Sequence, residues 1–455
     1  MHMQVFTNVL EMIGRTPILE LKRMDTGCCR LFLKLELMNP GGSIKDRIGV
    51  SMIAEAEKRG DIKPGDTLVE ATAGNTGIGL ALVAAQKGYR LILVLPDKMS
   101  QEKIFNLRAM GAEVVLTRSD VGKGHPEYYQ DLGATIAENR GAYFINQFGN
   151  PDNALAHELT TAPEKFEQMG GEVDAIVLGV GSSGTVTGVG AYLAKHAPAT
   201  DIILADPAGS VLADYVNTGE LGERGSWLVE GIGEDFIPPI ADFGRVTKAY
   251  SISDRESFAT ARKLLRTEGI LAGSSTGTLL AAALKYCAEQ TEARRVVTLA
   301  CDTGNKYLSK LYNDFWLEDR GFIQREQHGD LRDLIGRPHG EHATITVGPT
   351  DVLSTAHNRL RNAGFSQLPV MEGGRLVGVV TEDTIIRFVF GKPDLMNSPV
   401  RDAMQEAFIR LEKDASLNNL VAMLHVQPYA AIMDGDEFLG LITRSDVLNY
   451  LWREI

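Results

Sequence analysis

Between residues 30 and 310 short apolar runs alternate with longer amphipathic ones. LFLKLEL (31–37), TLVEAT (67–72), LILVLP (91–96), EVVLT (113–117), AIVLGV (175–180), DIILAD (201–206) and VVTLA (296–300) have the length of strands. Several carry hardly a polar residue, as strands do when helices cover both faces of a parallel sheet. The stretches between them, such as DRIGVSMIAEAEKRG (46–60) and GIGLALVAAQKG (77–88), repeat their apolar positions at helical spacing. The alternation predicts wound α/β structure. So many strands overfill one sheet, so two wound subdomains are expected.

Near residue 318 the pattern changes. EDRGFIQREQHGD (318–330) is polar and weakly periodic and reads as a linker. Beyond it VMEGGRLVGVVT (370–381) and IMDGDEFLGLIT (432–443) align without a gap at an offset of 62 residues. Each copy has a helical stretch, an apolar strand, a turn with Gly and acid, a second strand and a closing helix. Units of about 60 residues bury little core alone and are expected to pack as a pair. The expected boundaries are 1–317, a linker at 318–331, a first repeat at 332–391 and a second at 397–455.

Composition narrows the function. The 455 residues carry a net charge of −13 with no basic run, which argues against nucleic-acid or anionic-membrane partners. The four cysteines (28, 29, 287 and 301) form no C-x-x-C, so neither a disulfide framework nor a metal site is expected. The start, MHMQVFTNVLEMIGRTP, has no basic region followed by an apolar core, and no window nears ~18 apolar residues. A cytoplasmic location is the expectation. The 47 glycines exceed the ordinary ~7% and gather in short clusters, as where backbone must approach a ligand closely.

Four such clusters matter together. In NPGGSIKDR (39–47) a Gly-Gly turn delivers Ser43 and Lys45 just ahead of a helix near Asp46; a lysine so placed suits Schiff-base and general-base chemistry. In EATAGNTG (70–77) a strand gives way to a helix expected from Thr76 or Gly77, and the intervening N–H groups suit a carboxylate. GVGSSGT (179–185) repeats that form and suits a phosphate. It also matches G-x-G-x-x-G through Gly179, Gly181 and Gly184. Asp206 stands 22 residues further on, where a dinucleotide site keeps its ribose acid, so a nicotinamide-dependent oxidoreductase is one alternative. The fourth, GILAGSSTGT (269–278), precedes a helix expected over 278–288. A dinucleotide accounts only for the third cluster. Pyridoxal phosphate needs a lysine, a phosphate cradle, a ring-nitrogen partner and a substrate-carboxylate site, and so accounts for all four.

At this point the sequence resembles the fold type II (tryptophan-synthase-β-like) family of pyridoxal-phosphate enzymes over about residues 4–315, and within it the cystathionine β-synthases and their relatives the cysteine synthases. The resemblance implies an aldimine to the cofactor at Lys45 within GSIKDR. It implies a phosphate loop of Gly181, Ser182, Ser183, Gly184 and Thr185, and a ring-nitrogen partner at Ser275. It places the substrate carboxylate on Thr72, Ala73, Gly74, Asn75 and Thr76, with Asn75 also on the cofactor's 3-hydroxyl, and adds Gln147 from INQFGNP (145–151). The activity implied is replacement of the serine hydroxyl by homocysteine, through an aminoacrylate, giving cystathionine and water. Cysteine synthase (O-acetylserine plus sulfide) is the alternative within the family. VEGIG (229–233), with Glu230, and the tandem repeat resemble the β-synthases rather than the cysteine synthases. Two departures, Ala73 for a frequent serine and Glu234 where eukaryotic β-synthases tend to have tyrosine, fall at the expected substrate pocket. No haem is expected, and a homodimer or higher homo-oligomer is.

The repeats resemble paired CBS domains (a Bateman module), which commonly take adenosyl ligands such as S-adenosylmethionine or adenine nucleotides. The ribose pattern G-h-h-T-x-x-D is met by Gly440, Thr443 and Asp446. In the first copy Gly378 and Thr381 are followed by Thr384 in the place of the acid. A purely structural module, or a nucleotide sensor with an inactive catalytic part, is the further alternative.

Overall fold

The computed structural model describes residues 5–72, 74–324 and 326–453. The chain divides into two units, at 1–313 and 314–455. The sequence pattern puts the end of the catalytic part at 317; helix Asp314–Asp319 lies in the second unit.

The first unit holds two sheets. The larger combines β1 (Ile18–Glu20), β2 (Arg30–Lys34), β7 (Ala175–Gly179), β8 (Asp201–Pro207), β9 (Val246–Ile252) and β10 (Arg295–Leu299), in the order β1-β2-β10-β7-β8-β9. Only β1 runs antiparallel to its neighbour. The smaller is parallel throughout, in the order β5-β4-β3-β6, from β3 (Thr67–Ala71), β4 (Arg90–Pro96), β5 (Glu113–Thr117) and β6 (Tyr143–Phe144). Every residue of β4 after Arg90 is buried, which is why that strand reads as an unbroken apolar run.

Two helices set up the site. Lys45–Arg59 and Asn75–Lys87 cross so tightly that a Cβ on Gly49 would lie 2.7 Å from the carbonyl carbon of Gly79. One on Gly79 would lie 2.6 Å from the carbonyl oxygen of Lys45. Only glycine permits this approach, and it brings the first turns of the two helices together.

Two helix starts differ from the sequence expectation. The second helix begins at Asn75 rather than at Thr76 or Gly77. The helix expected over 278–288 spans Ser274–Ala288, so Ser275 lies inside its first turn. Its small residues look like a loop, but Gly277 is a packing contact: a Cβ there would sit 2.0 Å from the Ser257 carbonyl oxygen, on helix Asp254–Glu268. All four cysteines are free. Among the described residues no cluster has the makings of a metal site, and no helix is long and apolar enough to cross a membrane.

In the second unit β11 (Gln367–Glu372) pairs antiparallel with β12 (Arg375–Thr381). The shorter β13 (Arg410–Glu412) joins β14 (Tyr429–Asp434) and β15 (Glu437–Thr443). The offset of 62 extends to the backbone: the register shifts after Val370 in one hairpin and after Ile432 in the other. Within the expected linker, Leu331 is buried together with Leu334 among the apolar residues of the second repeat.

Candidate active site

A cavity of about 310 Å³ opens where the two sheets of the first unit present their carboxyl ends, the usual place for ligands in wound α/β folds. Lys45, Thr72, Asn75, Thr76, Gln147 and Ser275 line it, as do all five residues of the 181–185 turn. The structure thus brings together residues expected from five separate stretches of chain. Gly74 is buried just behind the wall, its N–H donating to Thr72 Oγ1 at 3.0 Å. Ala73 lies outside the described residues.

Lys45 opens its helix. Burial lowers the pKa of its amine, against the opposing pull of Cys301, Glu234 and Asp302. That favours the neutral amine a nucleophile or base requires. Also at the cavity wall, helix Gly184–His196 starts without a side-chain cap. Its leading Ser183 has φ of 69°, a left-handed conformation rare outside glycine and found where a turn is held for function. A Cβ on Gly184 would lie 1.9 Å from Asn153 Oδ1. The helix N-terminus therefore presents bare N–H groups to the cavity, the arrangement that binds phosphate.

Residues that the sequence did not mark hold this turn. Asn153 donates to Ser182 Oγ at 2.8 Å and to the Gln147 carbonyl at 2.8 Å. His157 is wholly buried within a single π-helical turn, with Nε2 3.3 Å from Thr185 Oγ1 and Nδ1 2.9 Å from Thr161 Oγ1. Burial, then the charges of Lys45 and Arg47, push its pKa well below the usual histidine range, so it is neutral. Both lie one helical turn apart in the segment after INQFGNP, and only that segment's glutamine was marked.

The 72–76 turn is anchored from both sides. Thr76 Oγ1 donates to Gln147 Oε1 at 2.7 Å, and Gln147 Nε2 donates to the Ala71 carbonyl at 2.9 Å. Beneath them Glu70 Oε2 accepts from the Gln147 N–H at 3.2 Å. Asn75 donates to Asp302 Oδ2 at 2.7 Å and accepts from Lys306 at 2.9 Å. Asp302 also accepts from Tyr307 at 2.6 Å, Tyr307 accepts from Lys103 at 3.0 Å, and Lys103 pairs with Glu230 at 2.7 Å. Burial pushes the Glu230 carboxyl up, and Lys103 with Lys310 more than offsets this, leaving it below the ordinary range. Ser275 is buried beside the Cys301 thiol, which also lines the cavity and which the sequence did not mark as a site residue.

Glu70 carries a pH prediction. Burial raises its pKa to about 8, so the folded chain keeps a proton that the unfolded chain releases near 4.5. Its stabilising contribution is full in acid and fades as pH rises towards about 8. Glu70→Gln should therefore flatten the fall in melting temperature over that interval. An unchanged slope in calorimetric scans at several pH values would show that Glu70 does not carry it.

The residues fit pyridoxal phosphate: one cavity is lined by a lysine whose pKa burial lowers, by a helix-leading turn whose Gly184 packs too closely on Asn153 for any side chain, by the buried Ser275 hydroxyl, and by a second turn that leads into a helix. They do not fit a dinucleotide. Asp206, the would-be ribose acid, is wholly buried away from the cavity and accepts from the Ala213 N–H at 2.8 Å.

In the second unit Asp446 Oδ2 accepts from the N–H and the hydroxyl of Thr443, at 2.7 and 2.6 Å, capping the helix that follows. In the first repeat Thr384 fills the equivalent place and forms a reciprocal cap with Thr381.

Comparisons with known proteins agree with this geometry. The model of the pyridoxal-phosphate dependent enzyme family matches residues 9–302, and that of the CBS domain matches 341–391 and 400–453. The chain is 35% identical to a cystathionine beta-synthase of Dictyostelium discoideum, over 99% of this chain and 93% of that one. It is 34% identical to that of Saccharomyces cerevisiae, over 98% and 97%. Among solved structures, an O-acetylserine dependent cystathionine beta-synthase from Helicobacter pylori is 39% identical with a TM-score of 0.63, covering 68% of this chain and 99% of its own.

Proposed function

The chain belongs to the pyridoxal-phosphate dependent enzymes and carries paired CBS domains, and from that premise we propose that it carries out the cystathionine β-synthase reaction. The hydroxyl of serine is replaced by the thiol of homocysteine, giving cystathionine and water. The observation that carries this reading is the convergence on one cavity of the Lys45 amine, two anion-binding turns and the Ser275 hydroxyl.

Bound pyridoxal phosphate supplies an aldehyde for an amine and a ring that delocalises the electron pair left at Cα. Lys45 would hold it, the 181–185 turn would receive its phosphate, and Ser275 would offer its ring nitrogen a neutral hydroxyl. Thr72, Thr76 and Gln147 take the substrate carboxylate, with Asn75 beside them. The same Lys45 amine, once displaced by substrate, removes the Cα proton and later returns it. The mutual hydrogen bonds of Thr76, Gln147 and Glu70 keep the carboxylate site in shape before substrate arrives, so little ordering remains at the moment of reaction.

Supplying purified enzyme with serine and homocysteine, and weighing the product, tests the reading. Cystathionine with loss of water is expected; cysteine from O-acetylserine and sulfide, with no cystathionine, refutes it. The dependence of the Helicobacter pylori relative on O-acetylserine favours a second reading of the first substrate, with the thiol step unchanged.

For the module we propose an adenosyl ligand at the second repeat, whose ribose contacts Thr443 and Asp446. Calorimetric titration of the full chain with S-adenosylmethionine and with adenine nucleotides should give one binding event per chain, lost in Asp446→Ala. An absence of heat with each of them leaves the module structural. We propose a homodimer as the working assembly and the cytoplasm as its location.

A further inference from the structure

We propose that Glu234 is a catalytic acid that protonates the serine hydroxyl as its Cβ–O bond breaks. The inference rests on the reading above and deepens it, because it assigns the proton that the leaving group needs.

Serine carries a poor leaving group. Hydroxide departs readily only when a proton reaches its oxygen during bond cleavage, whereas an acetate ester leaves as a stable anion. The Lys45 amine has taken the Cα proton by this stage; as sole carrier it would give that proton to the departing oxygen and take its replacement from the thiol. A second carrier lets Lys45 keep the Cα proton for its return. The cavity supplies a second one: Glu234 lines it together with Lys45. The carboxyl and the amine lie close enough to act on each other electrostatically.

The position is built rather than incidental. The Glu234 N–H donates to Ser210 Oγ at 3.0 Å, and its carbonyl accepts from the Val211 N–H and from Ser210 Oγ, each at 3.0 Å. Gly233 ahead of it has φ of 87°, and a Cβ there would meet Pro207 and Trp227 at 2.6 and 2.9 Å. The backbone is thereby fixed, and Glu234 Oε1 comes 3.9 Å from where a Cβ of Gly181 would stand, beside the phosphate turn. Among the described residues no donor is hydrogen-bonded to this carboxyl. Burial, then Asp235, raise its pKa well above the ordinary range, with Lys98 and Lys45 opposing, a shift in the direction a proton donor needs.

The protons balance. The Cβ–O electron pair goes to oxygen, the Glu234 proton joins it, and water leaves. The incoming thiol then gives its proton to the Glu234 carboxylate as sulfur bonds to Cβ. The acid is restored, and no further reactant is consumed.

The test compares kcat/KM for serine and for O-acetylserine, each with homocysteine, in the wild-type holoenzyme, Glu234→Gln and Glu234→Asp. Glu234→Gln should lower the serine to O-acetylserine ratio by about 100-fold or more, the ordinary scale of general-acid catalysis. Glu234→Asp should recover part of that loss. Infrared difference spectra of the resting protein should show a protonated carboxyl band in wild type that vanishes in Glu234→Gln. An unchanged ratio, or an ionised carboxyl at rest, overturns the proposal. So does a wild-type enzyme that uses only O-acetylserine, though thiol addition then still stands. A wild-type enzyme that makes cystathionine from neither substrate overturns the reading beneath it.

Discussion

Replacing Lys45 with alanine is expected to remove turnover, by three orders of magnitude or more, together with the visible absorbance of a cofactor joined to the protein. The size follows from two roles on one atom. The amine tethers the cofactor, and it is the proton carrier at Cα. General-base catalysis alone is worth about 10²–10⁴-fold. The effect should be local. Among the described residues Lys45 makes no ion pair; its backbone N–H donates to the Ser43 hydroxyl oxygen at 3.2 Å, and that bond survives the substitution. Melting of the variant should therefore shift little, and visible spectroscopy with steady-state rates separates lost chemistry from lost fold. Residual activity above one hundredth of wild type would contradict the assignment of Lys45 as base.

Two residues along the same helix the expectation is the reverse, a large loss of stability. Arg47 is almost wholly buried and pairs with Glu36 at 2.8 Å and with Glu164 at 2.7 Å, while Lys34 reaches Glu164 at 3.1 Å. Burial alone would raise the pKa of Glu36, and Arg47 more than reverses it. Arg47→Ala leaves that buried carboxylate without its partner, a change that costs roughly 3–5 kcal/mol. The penalty should shrink as pH falls and Glu36 takes a proton, and the double variant Arg47→Met with Glu36→Gln should regain most of it. Calorimetric melts across pH check both. An Arg47→Ala melt within a degree or so of wild type would show that the cluster contributes nothing net.

Much of this was legible in the sequence. Strands buried on both faces must be apolar throughout, and that requirement fixed β4 and β8 to within a residue of their observed ends. The four glycine-rich clusters were legible because bringing backbone to an anion demands small residues. What stayed hidden has one cause. Arg47 and Glu164 stand 117 residues apart, Lys103 and Glu230 stand 127 apart, and a lone charge in a sequence reads as solvated surface. Asn153 and His157 were hidden likewise, since they act on the phosphate turn only once the fold has carried them there. The start of the Ser274 helix was misread for the opposite reason: residues small enough to let two helices touch look like those of a loop.

The order of strands in the larger sheet has a consequence for how the protein is made. The strand β2 lies between β1 and β10, and β10 is translated about 260 residues later. At roughly 5–20 residues per second the ribosome needs on the order of ten to fifty seconds to supply that partner. Through this interval an apolar edge, Leu31 to Leu33, waits uncovered on the nascent chain. The smaller sheet, whose strands emerge in one continuous stretch, is complete long before. Vectorial synthesis thus closes the half that carries the carboxylate turn first. The half with the phosphate cradle is assembled last, so vitamin capture has to follow release of nearly the whole catalytic region.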